Sequence, residues 1–232
     1  MARLPRLVLP GYPMYASVRG HQGQAIFLDD ADRRTYLEWL RDAAREHELA
    51  IHAYVLTDNQ AQILATPKHS QSLAKVMQSL GRRYAHYSHQ RYQTTGTLWE
   101  GRFRSCLIEA EPYFIQAQQF IEQTPVVQHL VQKPGDWAWS TANHHMGQET
   151  IPWISDHPQY WALGNTPFER QRAWGALLAD HLSSSDLDKV SKHFNYGWPL
   201  LSESLIATLG TQLNRPMAIR KAGRPRKQSS AA

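Results

Sequence analysis

The stretch Leu49-Ala-Ile-His-Ala-Tyr-Val-Leu-Thr-Asp-Asn-Gln-Ala-Gln-Ile-Leu-Ala-Thr-Pro67 decides the fold. Leu49 to Leu56 is β-branched and aromatic enough for a buried strand. Thr57-Asp58-Asn59 supplies a tight turn, and Gln60 to Thr66 reads as the returning strand. The segment is therefore predicted to be an antiparallel hairpin. Successive side chains alternate across a strand, so Gln60 and Gln62 point to the same face.

On the N-terminal side, residues 14–19 (Met-Tyr-Ala-Ser-Val-Arg) read as a first strand, ended by Gly20 and Gly23. Asp29 and Asp30 offer cap chemistry for a helix running to about His47, with Tyr36, Leu37, Leu40 and Ala43 or Ala44 at helical spacing. On the C-terminal side, residues 70–92 predict a second long helix, with Leu73, Val76, Met77, Leu80 and Tyr84 on one face. Phe103 to Ala110 reads as a fourth strand. Glu111 to about Gln123 reads as a third helix, stopped near Thr124-Pro125. The order strand, helix, strand, strand, helix, strand, helix predicts an α+β domain, a ferredoxin-like antiparallel sheet with helices packed on it.

This domain is expected to span residues 1–130. Residues 131–165, rich in Pro, Gly, His and Trp, read as an irregular connector. Helical periodicity returns over 166–214: Thr166-Pro167 caps one helix, and two more are expected around 185–194 and 202–213. Residues 215–232 form a basic tail of the kind that is disordered in isolation and acts as an interaction arm.

The chain has 232 residues, 42% of them hydrophobic, which is ample for a packed core. Its net charge of +5 and pI near 9.4 favour phosphate-rich partners. The single cysteine, Cys106, excludes an internal disulfide and a cysteine-based zinc site, and suits a reducing compartment. The apolar run Leu7-Val8-Leu9 is too short for a secretory signal, and no stretch approaches the length of a membrane span. A cytoplasmic location, with nucleoid association left open and no membrane partner, is the expectation.

Three motifs share a frame with one known family. These are Ala53 to Pro67, Gly96-Thr-Leu-Trp-Glu-Gly-Arg-Phe-Arg-Ser-Cys-Leu107 and Phe120-Ile-Glu-Gln-Thr-Pro-Val126. The opening Ala2-Arg-Leu-Pro-Arg6, the Arg82-Arg83-Tyr84 helix, Asp136-Trp-Ala-Trp-Ser-Thr141 and the closing Gly223-Arg-Pro-Arg-Lys227 also fit. The chain resembles REP-associated, insertion-sequence-200-like tyrosine transposases of the single-tyrosine HUH type. The resemblance implies strand cleavage by a tyrosine nucleophile beside a divalent metal held by two histidines one residue apart on a strand. It places those histidines at Gln60 and Gln62 and the nucleophile at Phe120. Amide oxygens are poor substitutes for imidazole, and phenylalanine has no hydroxyl. The expectation is a catalytically degenerate site with no metal or other cofactor, within a lineage of DNA transposition.

Two alternatives would keep an enzyme. Tyr113, two helical turns before Phe120, could serve as a displaced nucleophile, or His52, His69, His86 or His89 could rebuild a metal site. A third reading makes the helical C-terminal half a protein-interaction or regulatory module. The resemblance puts Arg82, Arg83, Arg91, Arg102 and Arg104 around a groove for hairpin or single-stranded DNA, with Tyr84, Tyr87, Tyr92 and Trp99 as candidate stacking rings. Arg224, Arg226 and Lys227 form an AT-hook-like arm suited to an A·T-rich duplex. Oligomeric state stays open on sequence.

Overall fold

In the computed structural model, which describes residues 6–213 and Met217, the hairpin consists of β2 (Leu49–Thr57) and β3 (Gln60–Pro67), with Thr57 facing Gln60 across the turn. Strand β1 (Met14–Arg19) lies against β3, and β4 (Arg104–Leu107) against β1. All three pairings are antiparallel, in the order β2-β3-β1-β4. Helix α1 (Asp30–Glu46) carries the chain from β1 past β3 to β2, and α2 (Ser72–Tyr92) carries it from β3 past β1 to β4. Two interleaved split βαβ units are the ferredoxin-like arrangement that the element order predicted.

Local chemistry sets the boundaries. Asp29 starts α1 by accepting the Asp32 N–H at 3.0 Å. After β1 the chain turns so tightly that a Cβ on Gly20 would sit 2.0 Å from the Gln24 carbonyl oxygen. Only glycine fits there. The Gly20 N–H then bonds the Asn59 carbonyl at 2.9 Å, tying the end of β1 to the hairpin turn.

Helices α1 and α2 cover one face of the sheet. Leu40, Ala44, Leu73, Val76 and Leu80 bury against Met14, Ala16, Ile63 and Ala65. Tyr36 and Tyr84 meet edge-on at 5.2 Å, and the Tyr84 hydroxyl donates to the Ile26 carbonyl at 2.6 Å. The other face lies under α3 (Ala110–Val127) and α7 (Ser184–Tyr196). There Phe114, Ala117, Ile121, Val190 and Phe194 pack on Tyr15, Ala53, Val55, Leu64 and Cys106.

Two boundaries differ from expectation. Strand β4 ends at Leu107: the Ile108 N–H still donates to the Pro13 carbonyl at 2.8 Å, but Pro13 has no N–H to extend the ladder, and Ile108 pairs in parallel with Leu200. Helix α3 runs through Pro125 to Val127. Proline removes only the one bond that its N–H would make, and the helix closes with the Gln128 N–H on the Thr124 carbonyl at 2.9 Å.

The connector seals the outer edge of β2. Leu56 N–H donates to the Trp139 carbonyl, Thr141 N–H to Tyr54 and Ser155 N–H to Ile51, so these edge groups are paired. It contains the single turns α4 (Ala142–His145) and α5 (Pro158–Trp161). Helix α6 (Pro167–Ala179) begins with a capping box between Thr166 and Glu169, and α8 (Glu203–Leu213) closes the described chain apart from Met217.

Candidate nucleic-acid site

Strand alternation sends Gln60 and Gln62 to the α3–α7 face, opposite Arg19 and Ser17 of β1. Both glutamines are 3% exposed. Phe120, on α3, reaches the same place, so the three positions singled out from sequence line one cavity of about 100 Å³. Tyr15, Arg19, Thr124, Ser191, Phe194 and Asn195 complete most of its wall.

Three aromatic rings pack together along this cavity. Phe194 stacks on Tyr15 with ring centres 3.8 Å apart and planes within 8°. It also meets Phe120 edge-on at 5.2 Å. Burial pushes the Tyr15 phenol up to about 12, outweighing the opposing pull of a hydrogen bond from Ser17 and of the Arg19 charge. This phenol therefore stays protonated at neutral pH and is a weak nucleophile. Gln62 Nε2 donates to Thr124 Oγ1 at 3.3 Å, and Thr124 donates to the Phe120 carbonyl at 3.0 Å. Gln60 Nε2 and Gln62 Oε1 are buried without a protein partner.

The donor set does not fit the divalent metal that the family resemblance implies. The lining holds neutral amides, hydroxyls and a phenol, with no imidazole, thiolate or carboxylate. The histidines considered as replacements lie elsewhere. His52 occupies the bulge of β2 and bonds Thr66 Oγ1 at 2.8 Å, and burial pushes its pKa down to about 4. His69 bonds Glu48 at 2.8 Å and His89 bonds Thr94 at 3.2 Å, while His86 is exposed. Among the described residues, His144, His145 and Asp156 form a group with ligand atoms within 4.8 Å of one another. However, His144 Nδ1 accepts the Ile151 N–H at 3.1 Å. The neutral ring then carries its proton on Nε2, the atom a metal would need. His145 is likewise engaged outside the group, by the Glu122 carboxylate at 2.6 Å.

Tyr113 points away from the cavity. Its hydroxyl accepts from Lys189 Nζ at 2.7 Å, and the ammonium sits 4.3 Å from the ring centre.

The basic residues divide into two groups. Arg82 and Arg83 are exposed on α2, with the Arg83 guanidinium 4.5 Å from the Trp39 ring centre. Arg102 is exposed before β4, and Arg104 donates to the Asn195 carbonyl at 3.3 Å beside the cavity. Arg91 behaves differently. It pairs with Asp29 at 2.6 Å and with the fully buried Asp32 at 2.7 Å. Tyr92 and Tyr87 donate to the same Asp32 carboxylate at 2.8 and 3.1 Å. Arg91 is therefore consumed by a structural carboxylate cluster. Of the expected stacking rings, Tyr84 is core, Tyr87 and Tyr92 serve Asp32, and Trp99 donates to the Gly81 carbonyl at 3.0 Å. Arg224, Arg226 and Lys227 lie outside the described residues.

Sequence reasoning overlooked Tyr15, Arg19 and Phe194. Alternation along β1 already puts Tyr15, Ser17 and Arg19 on the glutamine face, so two of the three had a local signal. Phe194 had none, because nothing near it in the chain says that α7 returns to this face.

No helix among the described residues is long and apolar enough to cross a membrane. Residues 21–124 match the family model described as "Transposase IS200 like". Among solved structures, a REP-associated tyrosine transposase bound to a REP hairpin is similar, with a TM-score of 0.56 and 17% identity over 67% of this chain and 93% of that one. A candidate transposase from Deinococcus radiodurans gives a TM-score of 0.35 and 21% identity over 53% of this chain and 96% of that one. Comparison with curated proteins finds no match. Residues 21–124 are thus similar in sequence to IS200-like transposases, and the chain shares its fold with a REP-associated tyrosine transposase.

Proposed function

We propose that the chain binds hairpin or single-stranded DNA and does not cut it. The observation that carries this reading is the convergence of Gln60, Gln62 and Phe120 on one cavity. The frame that brings ligands and nucleophile together is intact, while the side chains in it can neither hold a transition metal as imidazoles would nor attack phosphorus. On this reading the ancestral metal site is lost and no cofactor is needed. Arg19, Arg82, Arg83 and Arg102 are exposed cations available to phosphates, and Arg104 adds charge at the cavity rim. A REP hairpin is what the structurally similar transposase holds, which supports the choice of DNA form. The basic tail is proposed to add contacts to A·T-rich duplex, and the cytoplasm is where such DNA would be met.

The test is a binding and cleavage assay on hairpin oligonucleotides with magnesium or manganese. Binding is expected at about 50 mM salt and should weaken steeply by about 200 mM, as counterion release requires. A covalent protein–DNA adduct would refute the loss of chemistry, and absence of binding at low salt would refute the DNA reading. If an adduct formed and Tyr113→Phe abolished it, the displaced nucleophile would be established instead.

A further inference from the structure

We infer that the outer face of α7 is a platform for the unpaired strand beside a DNA hairpin, with one base stacked on Tyr196. The inference rests on the proposed DNA binding and lies outside residues 21–124, which carry the family match. The rings expected from sequence to stack on bases are engaged within the protein. Tyr196, the last residue of α7, is instead 70% exposed. Among the described residues it makes neither a hydrogen bond nor a ring contact. A paired base is already stacked on both faces, so the free ring suits an unpaired one.

Charge separates Tyr196 from the other exposed rings. Trp161 lies against the Arg170 guanidinium at 4.3 Å, and Phe168 is followed by Glu169. Tyr196 instead continues a stripe with Lys189 and Lys192, at i, i+3 and i+7 along α7. Lys192 is exposed and, among the described residues, has no ion pair. Lys189 donates to the Tyr113 hydroxyl at 2.7 Å, a neutral partner that leaves its charge in place. The acidic residues of the helix, Asp186 and Asp188, precede this stretch. At its end Arg104 donates to the carbonyl of Asn195, next to Tyr196 in the chain, while Glu100 stands 3.9 Å from Arg104 and is half exposed.

The helix end decides which part of a nucleotide lies where. Carbonyls at the C-terminus of α7 disfavour a phosphate. A neutral base, whose amino groups donate, suits that position, and its phosphate belongs on Lys192. Four residues of helical rise put Lys192 about 6 Å from Tyr196 along the axis, so one nucleotide can span both. Arg104, past the same end, offers a cation to the next phosphate.

The experiment compares one hairpin with a single-stranded flank on its 5′ side, on its 3′ side or on neither, by fluorescence anisotropy at about 50 mM salt. Each flank base is also replaced in turn by an abasic site, which removes the base and keeps the phosphate. One flanked form is expected to bind more tightly than the bare hairpin, and one abasic site should weaken it about fivefold or more. Tyr196→Ala, which alters an exposed side chain and should leave the circular dichroism unchanged, is expected to cost the same factor and to make that abasic site harmless. Tyr196→Phe should retain the affinity. Lys192→Gln should make binding fall less steeply with salt, by about one phosphate contact. Equal affinity of Tyr196→Ala and the unaltered protein for the flanked hairpins overturns the inference and leaves DNA binding standing. Tyr196→Phe binding as weakly as Tyr196→Ala overturns stacking. A dimer in sedimentation that Tyr196→Ala dissociates would assign the ring to a contact between copies and equally overturn it. If no hairpin binds, with or without a flank, the DNA reading falls and this inference with it.

Discussion

Phe194 closes one side of the cavity that Gln60, Gln62 and Phe120 line. Its ring lies flat on Tyr15 and edge-on to Phe120, between α3 and the strands that carry Gln60 and Gln62. Restoring Gln60→His, Gln62→His and Phe120→Tyr together is therefore expected to leave hairpin cleavage absent. Adding Phe194→Ala should be required before an adduct forms, and an adduct from the triple variant alone would contradict this. At the same scale Arg91 shows how a cation is misread. Its spacing on a basic helix suggests phosphate contact, yet its partners Asp29 and Asp32 lie about sixty residues earlier. Arg91→Ala should lower Tm, because it leaves the fully buried Asp32 short of its counter-charge. Solvent screening moderates the loss, because Arg91 itself is partly exposed.

Among the elements, α3 is held by a carboxylate rather than by its ends. Glu122 is fully buried and accepts from His145 Nδ1 at 2.6 Å, Thr141 Oγ1 at 2.7 Å and Trp174 Nε1 at 2.8 Å. One side chain thus joins the helix to the connector and to α6. Glu122→Ala would strand three buried donors and is expected to cost about 3–5 kcal/mol, read as a lowered denaturant midpoint. Thr166→Ala, which removes the cap of α6, should cost only about 1 kcal/mol in the same assay. A similar loss in both variants would refute the anchoring role. The helix spans and the Thr166-Pro167 cap were legible because caps and periodicity act within a few residues. The partners of Glu122 were not, because Thr141 and His145 belong to the connector and Trp174 to α6, both distant from it in the chain.

For the molecule as a whole, acid is predicted to loosen the contact between α3 and the connector. His52 and His157 flank Phe114, the latter stacked on it at 3.8 Å, and burial pushes each down to about 4 from an unfolded value near 6.5. Between those values the unfolded chain binds more protons than the folded one. Stability is thus full above about pH 6.5 and falls as pH drops toward about 4, by on the order of a few kcal/mol for the more buried His52 and less for His157. Urea midpoints at neutral pH and near pH 4.5 should show the fall, and His52→Asn should flatten it. Unchanged midpoints would argue against it.

The sequence by itself determined the four strands, the principal helices and the shared face of Gln60 and Gln62, through alternation and capping that act over short distances, while only the family resemblance pointed to Phe120 beside them. It also determined that these positions lack imidazole and a nucleophilic hydroxyl. Only the tertiary structure decided what surrounds them. The return of α7 onto the sheet, the Phe194 stack on Tyr15 and the placement of Arg19 at the mouth join residues 15, 19, 60, 120 and 194. Contacts across such separations follow from which faces remain to be buried once the sheet has formed, and no local pattern of residues encodes them.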